Sequence, residues 1–221
     1  MEGFRILEIK QSVFAGMIRK TSATVMMSDI NPVLKGIMLK TENNILTMVS
    51  SDTYRLSICN YEGEYTNQTG EEIKNIIPGR ALSELTKLFD SENKDENVII
   101  TLSDNHCSLE TADFRMVTSL IKGEFVNYSR VKPTSFKTKV KIRREDLIAA
   151  VTRASLLLVN EKLTTPIRFS FEFDHVIISL YKENGQRYTD EVKIEINGEN
   201  YEIGFNNRHL LGILSCIDDE Y

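Results

Sequence analysis

The chain has 221 residues, of which 41% are hydrophobic, 8% aromatic and 27% charged, a mixture that excludes a disordered, collagenous or coiled-coil chain. No apolar run approaches the roughly 20 residues of a membrane helix, and the charged start MEGFRILEIKQ lacks the apolar stretch of a signal peptide, so a cytoplasmic protein is expected. The net charge of −5 at face value argues against nucleic acid as a partner.

In chain order, Phe4 to Ile9 reads as a strand, followed by a helix with Val13, Phe14, Met17 and Ile18 at helical spacing. Val33 to Lys40 and Ile45 to Val49 read as strands joined by a turn at Glu42-Asn43-Asn44. The run IKNIIP leads into a second helix carrying Leu82, Leu85, Leu88 and Phe89, after which Val98 to Leu102 and Phe114 to Thr118 are strands with a turn at Ser103 to His106. Lys132 to Lys137 has the proline and polar residues of a linker. KVKI precedes a third helix with Leu147, Ala150, Val151, Ala154 and Leu158. Ile167 to Phe173, Val176 to Tyr181 and Val192 to Ile196 follow as strands, with turns at Asp174-His175, Glu183-Asn184-Gly185 and Asn197-Gly198. YEIGF then leads to a fourth helix with Leu210, Leu211, Leu214 and Ile217.

The strand-to-helix starts recur every 60 to 70 residues, the length of a strand, a helix and three further strands. The reading is therefore α+β, with repeated β-α-β-β-β units paired into domains, antiparallel sheets outside and paired helices on one face. Residues 1 to about 133 make one domain of two repeats, and residues 134 to 221 make part of another. The fourth repeat ends within its helix, which would leave Leu210, Leu211 and Leu214 uncovered.

Charge is distributed by element. Residues 10–20, 79–89, 143–153 and 206–216 carry nine basic residues against three acidic ones, a surplus of six, which leaves about eleven negative charges on the remainder. Basic helices within an acidic shell suit contact with phosphates without sequence preference. Lys10, Arg19, Lys87, Arg143 and Arg153 are candidates on this ground. The plainer alternative is that these charges are the wet faces of amphipathic helices.

Cys59, Cys107 and Cys216 are an odd number without a C-x-x-C pair, so buried reduced thiols are expected and neither a disulfide framework nor a zinc site is indicated. Asp104-Asn105-His106 and Asp174-His175 lie where hairpin turns belong, and the chain has no H-E-x-x-H, G-x-S-x-G, P-loop or G-x-G-x-x-G pattern. Neither a catalytic residue nor a cofactor is implied. Two segments stand out from strand and turn: Ser51 to Leu56, with a tyrosine and an arginine, and the aromatic-bearing stretch Gly123 to Val131. Apolar and aromatic side chains beside arginines are what a peptide groove uses.

The segments NPVLKGIMLK, ILTMVSSDTYRLSI, IIPGRALSELTKLF, TSLIKGEFVNYSRVKP, RREDLIAAVTRASLL and YEIGFNNRHLLGIL, in this order, resemble the bacterial DNA polymerase III beta subunit, the replicative sliding clamp. The resemblance covers that family's middle domain and the first part of its C-terminal domain. It implies a non-catalytic processivity factor, a homodimeric ring of clamp-fold domains whose basic helices surround duplex DNA. DNA polymerase and clamp-loader subunits would dock through linear motifs. A chain without the remaining domain and strands would not close a ring alone. The partner pocket implied by the resemblance maps onto Leu34, Ser51, Thr53, Tyr54, Arg55, Leu56, Val126, Arg130 and Val131. Thr53 and Tyr54 stand where the family commonly has glycine and histidine, and Val126 replaces a common proline. The DNA-facing positions implied are Arg80, Asn206 and His209. The competing expectations are a scaffold or interaction module without DNA binding, and an enzyme with a metal at an Asp-x-His turn.

Overall fold

The computed structural model describes residues 4–89, 96–158, 165–182 and 184–221. The chain divides into two compact units, Met1–Tyr128 and Ser129–Tyr221. The break falls before the linker that the composition suggested.

In the first unit, β1 (Arg5–Lys10) runs into α1 (Gln11–Ser22), and β2 (Gly36–Glu42), β3 (Ile45–Ser51), β4 (Leu56–Tyr61) and the short β5 (Thr66–Asn67) follow. The second repeat is β6 (Lys74–Pro78), α2 (Gly79–Leu88), β7 (Asn97–Leu102), β8 (His106–Glu110) and β9 (Arg115–Ser119). The repeats exchange their first strands. One sheet has the order β5-β1-β7-β8-β9 and the other β4-β3-β2-β6, all antiparallel, so β1 joins the second repeat and β6 joins the first. The β2–β3 turn places Asn43 and Asn44 at φ 50° and 62°, the left-handed conformation that a two-residue hairpin needs and that asparagine tolerates.

α1 and α2 pack side by side against the sheets. Phe14, Met17 and Ile18 of α1 and Leu82 and Leu85 of α2 join Leu7, Ile9, Ile37, Leu39, Val98 and Ile100 in one core. Each such side chain contributes about 1.5–3 kcal/mol by leaving water. β2 is buried on both faces, because Ile37 and Leu39 enter this core while Met38 enters a second cluster on the other side.

In the second unit, β10 (Lys139–Ile142) and α3 (Arg144–Ser155) precede β11 (Ile167–Glu172), β12 (His175–Tyr181), β13 (Arg187–Asn197), β14 (Tyr201–Phe205) and α4 (Asn207–Leu214). The sheet order is β10-β13-β12-β11-β14. β13 is long enough to pair with β12 through Arg187–Lys193 and with β10 through Ile194–Asn197. The opposite edge of β10, where β1 meets β7 in the first unit, carries no strand among the described residues. Both units nonetheless hold the first helical amide alike: Gln11 N–H donates to Glu96 O and Arg144 N–H to Glu220 O, each at 2.8 Å.

Several expectations need correction. Residues 33–35 are not strand: Asn31 accepts a hydrogen bond from Val33 N–H at 3.1 Å and Pro32 opens a 3-10 turn over Pro32–Lys35, so β2 starts only at Gly36. Leu214 is buried and Leu210 and Leu211 are half-buried, since α4 packs on α3 and the core of this unit closes over them. Cys107 is buried, but Cys59 and Cys216 are only half-buried. Glu183, expected in a turn, lies outside the described residues.

Candidate partner-binding face and basic helices

The face begins at the β3–β4 turn, where polar residues fold on themselves. Asp52 Oδ1 accepts from Tyr54 N–H at 3.1 Å and Arg55 N–H at 2.8 Å, while Asp52 Oδ2 takes Arg55 Nε at 2.9 Å and Nη2 at 2.6 Å. Ser51 Oγ donates to Arg55 O at 2.8 Å and accepts from Thr53 N–H at 3.3 Å. Burial would raise the Asp52 carboxyl, but the side-chain and backbone hydrogen bonds from Arg55, its charge and the Tyr54 amide outweigh it and hold Asp52 below its ordinary value. Thr53 sits at φ 76°, a rare conformation for a β-branched residue. Tyr54 is 85% exposed.

Beneath this turn lies the second apolar cluster: Met26, Leu34, Met38, Val49, Ile76 and Phe125, with Val33, Leu56, Ile58, Ile121 and Tyr128 packed on it. Leu34 is only 2% exposed and forms floor, held by its carbonyl accepting from Met26 N–H at 3.0 Å. Leu56, half-buried, packs on this cluster, and Val126, next in the chain to Phe125, is 39% exposed. The structure thus gathers Leu34, Ser51 to Leu56 and Val126 in the first unit. Arg130 and Val131 belong to the second unit, where both are exposed. Sequence reasoning did not bring Met26, Met38, Val49 and Ile76 to this turn, and had Phe125 only as part of the aromatic-bearing stretch Gly123 to Val131. The unbroken apolar run of β2 was the available signal, because a strand apolar at consecutive positions is covered on both faces.

The basic candidates are solvent-facing but several are already paired. Arg80 is exposed in the first turn of α2, and Lys10 and Arg19 are exposed at the start and last turn of α1. Lys87 donates to both Glu84 oxygens, at 2.9 and 3.0 Å, which lowers the Glu84 carboxyl through the hydrogen bond and the charge. Arg143 lies 3.3 Å from Glu145, 3.9 Å from Asp146 and 3.7 Å from Glu220. Arg153 Nε donates to Asp190 at 2.9 Å and to Tyr188 Oη at 3.3 Å, a link between α3 and β13 that the sequence did not suggest. Asn206 caps α4 by accepting from His209 N–H at 3.2 Å, and His209 is half-buried.

The two Asp-His segments are turns. Ser103 Oγ accepts from His106 N–H at 3.0 Å, and His175 Nδ1 lies 2.8 Å from Asp174 Oδ1 beside the β11–β12 turn. Among the described residues no group of three or more His, Cys, Asp or Glu is arranged to hold a metal ion. No helix among the described residues is long and apolar enough to cross a membrane.

Strand-exchanged β-α-β-β-β repeats, with helices side by side against antiparallel sheets, define a clamp-type domain. Comparison with known proteins agrees. Residues 8–127 match the DNA polymerase III beta subunit, central domain, and residues 129–221 match its C-terminal domain. The chain belongs to the DNA polymerase III beta subunit family. It is 30% identical over 212 residues to a beta sliding clamp of Pseudomonas aeruginosa, covering 96% of this chain and 56% of the relative, and 27% identical over 215 residues to that of Staphylococcus epidermidis, covering 97% and 55%. The chain thus spans little more than half the length of these relatives. A P. aeruginosa sliding clamp solved with bound griselimycin superposes with a TM-score of 0.87 at 28% identity, covering 97% of this chain and 57% of that one. A beta subunit from Eubacterium rectale gives 0.88 at 27%, with the same coverage.

Proposed function

We propose that this chain supplies the partner-binding and inner-helix portion of a sliding clamp, a non-catalytic processivity factor that holds polymerase on duplex DNA. Residues to about 133 act as its middle domain and residues 134–221 as the first part of its C-terminal domain. It works in the cytoplasm, at the nucleoid. The observation that supports the reading is the second apolar cluster around Met38, Val49 and Phe125, separate from the main core, with half-buried Leu56 packed on it beside a turn that fixes Arg55. Such a face suits a short linear motif: apolar side chains of the motif displace water over Leu56 and Val126, and the Ser51–Leu56 turn supplies directional polar contacts. Exposed Arg80, with Lys10 and Arg19, gives α1 and α2 weak phosphate contacts without sequence preference, and Asn206 and His209 serve α4. Weak contacts suffice in a ring, because release then requires the ring to open as well as the contacts to break.

A relative binds griselimycin, which makes that compound a direct probe. Titrating griselimycin into the chain by calorimetry is expected to give saturable binding that Leu56→Asp abolishes while thermal unfolding remains cooperative. Binding unaffected by Leu56→Asp, or no binding to the wild-type chain, sinks the assignment.

A further inference from the structure

The two units share one sheet plan, and their positions correspond. α1 and α3 are both 12 residues long and hold their first amide alike, so Thr21 corresponds to Ala154 and Thr24 to Leu157. β3 and β12 are both 7 residues long and occupy the same place in their sheets, so Ser50 corresponds to Leu180. In the second unit these three places are apolar: Ala154 and Leu180 are buried in its core and Leu157 packs against it. In the first unit the same three places carry hydroxyls, and Thr21, Thr24 and Ser50 are all fully buried. The shared fold is therefore built without polar side chains at these points, and buried hydroxyls are costly unless hydrogen-bonded.

The three hydroxyls form one chain of bonds. Ser50 Oγ has a single proton, which it donates to Thr21 O near the end of α1. Thr24 Oγ1 lies 2.6 Å from Ser50 Oγ and donates to it, while Thr21 Oγ1 donates to Met17 O at 2.8 Å. The chain meets the partner-binding face at two points. Two residues beyond Thr24, Met26 enters the second apolar cluster with its N–H on Leu34 O at 3.0 Å. One residue beyond Ser50, Ser51 begins the turn and donates its hydroxyl to Arg55 O. The bond between Thr24 and Ser50 thus cross-links the loop that delivers Met26 to the strand that delivers the turn.

We infer that Thr24 and Ser50 are positioning residues for the partner-binding face: their hydroxyls fix Met26 and the Ser51–Leu56 turn relative to each other, so that the face is formed before a partner arrives. The inference rests on the partner-binding reading above. A hydrogen bond sets direction as well as distance, which apolar packing of the kind found at Leu157 and Leu180 does not. Ordering the face in advance removes a cost that binding would otherwise bear.

Griselimycin titrated by calorimetry into the full chain and its variants tests this. Thr24→Val and Ser50→Ala are each expected to weaken binding, and the double variant by at least about tenfold, while unfolding in urea stays cooperative. Two neighbouring acceptors, Thr21 O and Ser50 O, each 3.3 Å from Thr24 Oγ1, remain for Thr24 once the serine hydroxyl is gone, and removing both hydroxyls together leaves no unpaired side-chain partner. Thr24→Ser keeps the hydroxyl and restores wild-type affinity. Thr41→Val removes another buried hydroxyl, one that accepts from Ile73 N–H at 2.9 Å, and is expected to lower the urea midpoint without changing affinity. Wild-type affinity in the double variant overturns the inference and leaves the partner-binding reading standing. Equal losses of affinity in Thr41→Val and the double variant overturn it too, as does loss of cooperative unfolding in both Thr24→Val and Ser50→Ala, which would assign the hydroxyls to the fold alone. No binding to the wild-type chain overturns the partner-binding reading and this inference with it.

Discussion

Thr53 holds a left-handed backbone that a β-branched side chain opposes, at about 1–2 kcal/mol for a non-glycine residue. Glycine removes that strain and costs about 0.5–1 kcal/mol in chain entropy. Thr53→Gly is therefore expected to stabilise the fold by up to about 1 kcal/mol, read as a higher urea midpoint at unchanged slope, and to leave griselimycin binding in place. The turn keeps this backbone because Asp52 clamps it: its carboxylate accepts from two amides and the Arg55 guanidinium, with the two side chains only 13% and 17% exposed. Since the folded carboxyl titrates below its ordinary value, its contribution is complete above about pH 3.8 and is lost as the pH falls through the lower folded value. Asp52→Asn should cost about 1–3 kcal/mol at neutral pH, with the difference from wild type shrinking in urea titrations below pH 3.8. The turn residues were legible as a cluster of polar and arginine side chains. The Asp52–Arg55 clamp was not, because sequence shows neighbours and not which oxygen meets which proton.

At the scale of elements, the four helices and most strands follow from apolar spacing, since one stripe of each helix and one face of each strand must leave water. β4 and β8 were harder to read. Leu56–Tyr61 mixes serine, cysteine and asparagine, and His106–Glu110 is bounded by its own turn residues, so both owe their strand conformation to pairing with β3 and β7 rather than to composition. The turn after β13 is more stringent. Gly198 adopts φ 134°, and a Cβ there would sit 2.3 Å from Lys137 O and 2.6 Å from Thr138 Cα. Gly198→Ala combines a forbidden conformation with a backbone collision, so it should cost about 3 kcal/mol or more, read as a lower melting temperature and as lost amide protection along β10. The surplus of helical charge was visible in the sequence, Glu84 beside Lys87 included, but the pairing of Arg153 with Asp190 was not, because it depends on which strand the helix meets.

For the whole molecule, the prediction that matters concerns phosphate contact. If α1 and α2 carry it, the logarithm of the duplex affinity falls linearly with the logarithm of salt, and Arg80→Glu both weakens binding and reduces the slope by about 1. Fluorescence anisotropy at several salt concentrations with two unrelated duplex sequences measures both quantities, and a sequence-dependent affinity would contradict the sliding role. Unequal effects from Arg80→Glu and Lys87→Glu are expected, since Lys87 already holds Glu84.

The interleaving of the first unit has a consequence for how it is made. Arg5–Lys10 meets the short β5 at Leu7 and Glu8 but is paired along its whole length by Asn97–Leu102, and a ribosome adds about 5–20 residues each second. For several seconds after it is made, β1 therefore offers an unsatisfied edge, rich in isoleucine and leucine, and non-local closure of this kind is slow. The interval between synthesis of β1 and of β7 is when holdase chaperones would find this chain, and premature release within it would send the chain toward aggregation.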